Sequence, residues 1–78
     1  MTNADADKGR LVMEAFRYFR VHKWERMTVR MIEAYCDERG LDPRELEGGL
    51  HYTRLQGWTE NGPNQSAVLT DDGHRVIH

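Results

Sequence analysis

Apolar side chains at Leu11, Val12, Ala15, Phe16 and Phe19 recur at the spacing of one helix face and predict an amphipathic helix over residues 7–22. At about 100° per residue the opposite face carries Arg10, Glu14 and Arg17, flanked by Met13, Arg20 and Val21. Met13 and Val21 on that outer side read either as isolated exposed residues, common on any protein, or as part of a second contact surface. The period breaks at residues 22–27. Thr28 then offers a side-chain oxygen to cap a second helix from Val29, whose buried stripe is Val29, Ile32, Tyr35 and Cys36. Gly40 closes it, because glycine takes the left-handed terminal conformation without a Cβ clash, and Leu41 turns back to the core. Asp42 and Pro43 form a helix start, a capping carboxylate followed by proline at the first helical position. They open a third helix over residues 43–56, stopped by Gly57.

Beyond Gly57 the pattern becomes extended. Residues 58–60 and 66–69 are short strands rich in β-branched and aromatic side chains, and residues 61–65 between them are turn formers, so together they predict a β-hairpin. Thr70 and the acids after it start a last short helix through Ile77. No repeat or low-complexity tract interrupts this order.

Length turns these elements into one unit. With 78 residues, 38% of them hydrophobic, the chain has room for one core, so residues 8–78 are expected to form a single domain behind a disordered tail at 1–7. Large catalytic scaffolds are excluded. A domain this small buries only about 60% of its unfolded surface and gains from a partner or a second copy. The lone Cys36 excludes an intramolecular disulfide. Together with an acidic N-terminus unlike a secretory leader and no apolar run of membrane-spanning length, it predicts a cytoplasmic protein.

The net charge of −2 hides a segregation. Residues 8–30 carry Lys8, Arg10, Arg17, Arg20, Lys23, Arg26 and Arg30 against Glu14 and Glu25, for +5, whereas residues 31–78 total −5. Two arrangements produce this: a basic surface that recruits an anionic partner, or a basic helix neutralised by acidic neighbours inside the fold.

The succession of helix, helix, tight glycine turn, helix, hairpin and a terminal LTDDG resembles the winged helix-turn-helix family over nearly the whole chain. Residues 28–56 are similar to its helix-turn-helix core, with Cys36 as the small residue at the helix crossing, Gly40 in the turn, Leu41 buried after it, and Leu46 and Leu50 inward on the second helix. GLHYTRLQGWTE resembles a recognition helix running into a wing, and SAVLTDDGHRVI the returning strand with its short final helix. Two positions depart from the pattern: Arg39, where an apolar residue is usual, and Thr53, where leucine is common. The resemblance implies an α+β, mainly α fold: a three-helix core, a two-stranded β-hairpin wing and a short C-terminal helix.

It also implies binding to double-stranded DNA for transcriptional regulation, as a homodimer reading half-sites about 34 Å apart. On a wheel of residues 43–56, Leu46, Gly49, Leu50 and Thr53 face inward and Arg44, Gly48, His51, Tyr52 and Leu55 outward. By analogy the outer set enters the major groove, where Arg bridges guanine O6 and N7 and His or Tyr reaches bases or phosphates. Gly48 would allow close approach to the groove; the alternative for the Gly48-Gly49 pair, which lowers helix stability by about 1 kcal/mol per glycine, is a bend or close helix packing.

Asp42, Glu45 and Glu47 repel phosphates from the same helix, and residues 61–65 carry no cation. Arg44 and Arg54 are therefore its only fixed positive charges. Phosphate contacts then fall largely to Arg17, Arg20, Lys23, Arg26 and Arg30. Trp24 is expected to fill core, as a small domain needs its large apolar side chains, with stacking as the other role. The competing function is a winged-helix module that binds protein without DNA, through the acidic third helix or the Met13/Val21 side. No cofactor or enzymatic activity is expected. Of four histidines only His74 and His78 have a metal-like i, i+4 spacing, and they lack further ligands unless Asp71 joins them. Cys36 has no thiolate-stabilising surroundings, and phosphate-loop and nucleophile motifs are missing.

Overall fold

The computed structural model describes residues 4–78. Helix α1, Ala4–Tyr18, carries Asp5 and Asp7 in its first turn, where acids complement the helix dipole. Residues 4–7 thus belong to a helix rather than to a tail; residues 1–3 of the expected tail lie outside the described residues. The helix stops four residues before the predicted His22. Arg20 adopts a left-handed φ of 55°, its N–H donates to the Arg17 carbonyl, and the Val21 N–H donates to that of Phe16, each at 3.1 Å. This is a Schellman-type ending with arginine where glycine is usual.

Residues 22–25 form a turn closed by the Glu25 N–H on the His22 carbonyl. Strand β1, Arg26–Met27, follows directly. Helix α2, Val29–Arg39, is capped by Thr28, whose hydroxyl accepts from the Met31 N–H at 3.3 Å, and ends on Gly40 at φ 68°. Helix α3, Pro43–Leu55, is capped by Asp42, which accepts from the Arg44 N–H at 3.0 Å. Strand β2, Thr59–Asn61, a 3-10 turn at Pro63–Gln65 and strand β3, Ala67–Leu69, make the hairpin. Helix α4, Asp71–Ile77, is capped by Thr70, which accepts from the Gly73 N–H at 3.1 Å.

The described residues therefore form an α+β, mainly helical fold with four helices and one antiparallel sheet, compatible with a winged-helix layout. The sheet has three strands, in the order β1-β3-β2, where the sequence predicted two. Arg26 faces Val68 and Met27 faces Ala67 across β1 and β3, while Thr59, Glu60 and Asn61 face Leu69, Val68 and Ala67 across β2 and β3. Period-2 alternation aims Met27, Ala67 and Leu69 at the core and leaves Arg26 and Glu60 exposed.

Val12, Ala15 and Phe16 from α1, Ile32, Tyr35 and Cys36 from α2, and Leu46 from α3 close the core. Met13 and Val21, expected outside, are buried in it at 3% and 5% exposure. Helix α4 packs on α1 as α3 does, which widens the apolar side of α1 beyond the single stripe. Val29 is corrected the other way: at the first position of α2 it lies exposed.

Helices α1 and α3 pack closely because Gly49 has no side chain. A Cβ there would collide with the Lys8 carbonyl and come within 2.8 Å of a Val12 methyl. Gly73 plays the same part at the start of α4, seated against the Trp58 carbonyl. The two departures noted in the sequence are both compensated. Arg39 stacks its guanidinium over Tyr35 and Tyr18, 5.0 and 5.8 Å from the ring centres. Thr53, fully buried, donates to the Leu50 carbonyl at 2.9 Å and meets the Thr59 hydroxyl at 2.9 Å.

Candidate nucleic-acid interface

The outer face of α3 is narrower than the helical wheel predicted. Arg44, His51 and Leu55 are exposed, and the Arg44 guanidinium lies 3.8 Å from Asp42 at the helix start. Tyr52 is corrected. It is half-buried, its ring lies where a Cβ on Gly9 of α1 would stand, and it meets the Trp58 ring edge-on at 6.0 Å. Gly48 looks toward the aliphatic chain of Lys8, whose Cδ a methyl group there would touch at 3.4 Å. This side of α3 packs against α1, and that packing leaves Tyr52 only partly exposed.

On its other side α3 lines a cleft of about 430 Å³ with the start of α2 and the hairpin. Arg54 reaches into it and donates to Asn61 Oδ1 at 3.0 Å, which ties the last turn of the helix to β2. Glu33 and Glu47 share the cleft, along with Gln65 from the turn and apolar Val29 and Leu50. The cleft is thus mixed in sign. The first turn of α2 beside it holds no acid and presents Arg30 to solvent.

The remaining cations follow the end of α1. Arg17, Arg20, Lys23 and Arg26 are all exposed. Lys23 reaches Asp71 of α4 at 3.6 Å and Arg10 reaches Asp7 at 3.7 Å. Among the described residues Arg17, Arg20, Arg26 and Arg30 have no carboxylate within 4.0 Å. Among the described residues the basic stretch is therefore neutralised only in part, at Arg10 and Lys23.

Arg20, Arg26 and the acidic Glu25 line an open groove of about 500 Å³ walled by Phe19, Val21, Met31, Val68 and Pro63 of the hairpin turn. Trp24 stands at this groove, 58% exposed rather than in the core. Its N–H donates to the Leu69 carbonyl, and the Leu69 N–H donates to the Glu25 carbonyl at 2.9 Å. Two residues thereby oppose one on β3, a bulge that holds Trp24 at φ 68° with its ring outside. The hairpin turn separates the two depressions, with Pro63 on the Trp24 side and Gln65 on the Arg54 side. Asn64 and Gln65 at its tip are exposed in left-handed conformations, at φ 55° and 62°.

Trp24, expected in the core with stacking as its other role, lies at the surface, and nothing in the sequence marks Asn61 as the partner of Arg54. The signal for Trp24 was its neighbourhood, since residues 22–26 surround it with polar side chains. His74 and His78 stack at 4.3 Å between ring centres. Burial above all, and then the neighbouring His78, lowers the His74 pKa. No group of three metal-ligating side chains occurs among the described residues, and no helix among them is long and apolar enough to cross a membrane. The chain matches no family model, no curated protein and no solved structure.

Proposed function

We propose that this is a winged-helix protein that binds double-stranded DNA to regulate transcription, with α3 as recognition helix and residues 61–65 as the wing. The observation that carries this reading is the set of exposed arginines without an acidic partner, Arg17, Arg20, Arg26 and Arg30. An unneutralised cationic run of this kind attracts a polyanion and releases its counterions. Arg30 at the acid-free start of α2 positions the backbone. Arg54, braced by Asn61, and His51 and Arg44 on the outer side of α3 are the base-reading candidates.

The test is a chemical-shift titration of the protein with a mixed-sequence duplex at low salt, followed by affinity against salt. Expected are shifts in residues 26–30 and 44–54 and a steep loss of affinity with salt. Each of Arg20→Gln, Arg26→Gln and Arg30→Gln should flatten the log–log slope by about 1. Unmoved amides across both segments would defeat the proposal.

Glu33 and Glu47 in the α3 cleft favour a second reading, a winged-helix module that binds a basic protein segment there without DNA. Reversing Glu33 and Glu47 to Lys would abolish capture of a defined basic peptide; unchanged capture would dismiss it. The Met13/Val21 side has no part in either reading, because both residues are buried.

A further inference from the structure

Within the chain's first turn, residues 19–25, two residues occupy backbone conformations that favour glycine, Arg20 at φ 55° and Trp24 at φ 68°. Neither occupancy is explained by stability. A bulky side chain at positive φ is strained, and the Trp24 ring, more than half exposed, recovers little of that through burial. Glycine at either position would suit the backbone better. What the two residues have in common is their destination, since both side chains line the open groove between the end of α1, β1 and the hairpin turn. Arg26, opposite Val68 on the solvent side of the sheet, supplies a second cation to the same groove. Strain retained where it displays functional chemistry is the pattern of a binding site.

The groove combines an aromatic ring open to solvent with two arginines lacking carboxylate partners; the one acid in its lining, Glu25, accepts from the His22 N–H at 3.0 Å. Single-stranded nucleic acids are held this way, with bases stacked on aromatic rings and the backbone drawn by cations. The space of about 500 Å³ falls within the range of roughly 300–1,000 Å³ typical of small-ligand clefts. Its openness lets a strand pass through rather than end inside. A second copy of this chain fits poorly, because a two-fold axis here would set Arg20 and Arg26 against themselves.

We infer that this groove receives an unstacked nucleobase on the indole of Trp24, with its neighbouring phosphates on Arg20 and Arg26, so that the protein prefers DNA in which a duplex adjoins a single strand. The inference rests on the DNA-binding reading above.

Fluorescence anisotropy separates the two. A blunt mixed-sequence duplex and the same duplex with an oligothymidine overhang are titrated at low salt against the wild-type chain, Trp24→Gly, Trp24→Phe and Arg26→Gln. For the wild type the overhang duplex is expected to bind about tenfold more tightly. In a Trp58→Phe background, where Trp24 is the sole tryptophan, it should also quench the emission. Trp24→Gly, whose fold is checked by its circular-dichroism melt, should bring the two affinities together; Trp24→Phe should keep part of the gain, and Arg26→Gln should reduce it.

Equal wild-type affinities would overturn the inference while leaving DNA binding intact. Failure to bind either duplex would remove both. Quenching of Trp24 by a short peptide with acids around a Phe, with no response to the overhang, would reassign the groove to a protein partner and overturn the inference as well.

Discussion

A threonine hydroxyl has one proton, and at Thr53 it goes to the Leu50 carbonyl. The 2.9 Å contact with Thr59 therefore runs the other way, with Thr59 donating. Both residues are buried, at 0% and 2% exposure, so each hydroxyl depends on this chain of two bonds. Thr53→Val keeps the volume but leaves Thr59 without an acceptor. It should cost about 1–3 kcal/mol of unfolding free energy in urea. The double variant Thr53→Val, Thr59→Val should recover much of that loss, because no polar atom is then stranded; an additive double variant would show that the pair is not coupled. Arg39 compensates differently, covering Tyr35 and Tyr18 with a guanidinium plane that stays at the surface.

The same logic at the scale of elements divides the glycine pair of α3. Gly49 sits where a methyl group would meet the Lys8 backbone, whereas a methyl at Gly48 meets only the flexible Lys8 side chain at ordinary contact distance. Gly49→Ala should force α1 and α3 apart and destabilise by about 1–3 kcal/mol. Gly48→Ala should stabilise by up to about 1 kcal/mol through helix propensity. Thermal melts of the two variants should move in opposite directions; a loss for both would mean that Gly48 is also needed for packing.

Element by element, α2, α3, α4 and the hairpin were legible because a capping side chain, glycine or proline marks their ends. The end of α1 was not, since Arg20 takes the left-handed position without a sequence mark. Strand β1 was not either. Its two residues have no periodicity, and only pairing with β3, far along the chain, makes them a strand. Burial of Met13 and Val21 likewise follows from tertiary packing, which no local pattern encodes. For the candidate site, the cations were visible by type, but their freedom from acids and the exposure of Trp24 follow only from packing.

For the molecule as a whole, charge and protonation set the conditions under which it holds together. His74, half-buried at α4, faces His78 just past the end of its helix and Lys23 and His22 from the turn after α1, with Asp71 alone opposing them. Its pKa is held below the ordinary 6.5, first by burial and then by these neighbours. Between that lowered value and 6.5 the unfolded chain binds more protons than the folded one. Stability should therefore fall as pH drops below about 6.5 and level off once His74 is charged in both states. Imidazole proton shifts should show His74 titrating low and moving back up in His78→Ala; an ordinary titration in the wild type would contradict this.

The strand order has a temporal consequence. The central strand β3 is later in the chain than both strands it joins. During synthesis, Arg26 and Met27 leave the ribosome with no pairing partner until residues 67–69 follow. The three helices made before them can form locally, but the sheet edge that shields Met27 cannot. Closure of the sheet is thereby postponed until residues 67–69 are made, and any nascent chain stalled before Ala67 would present that edge to chaperones or to other unfinished copies of itself.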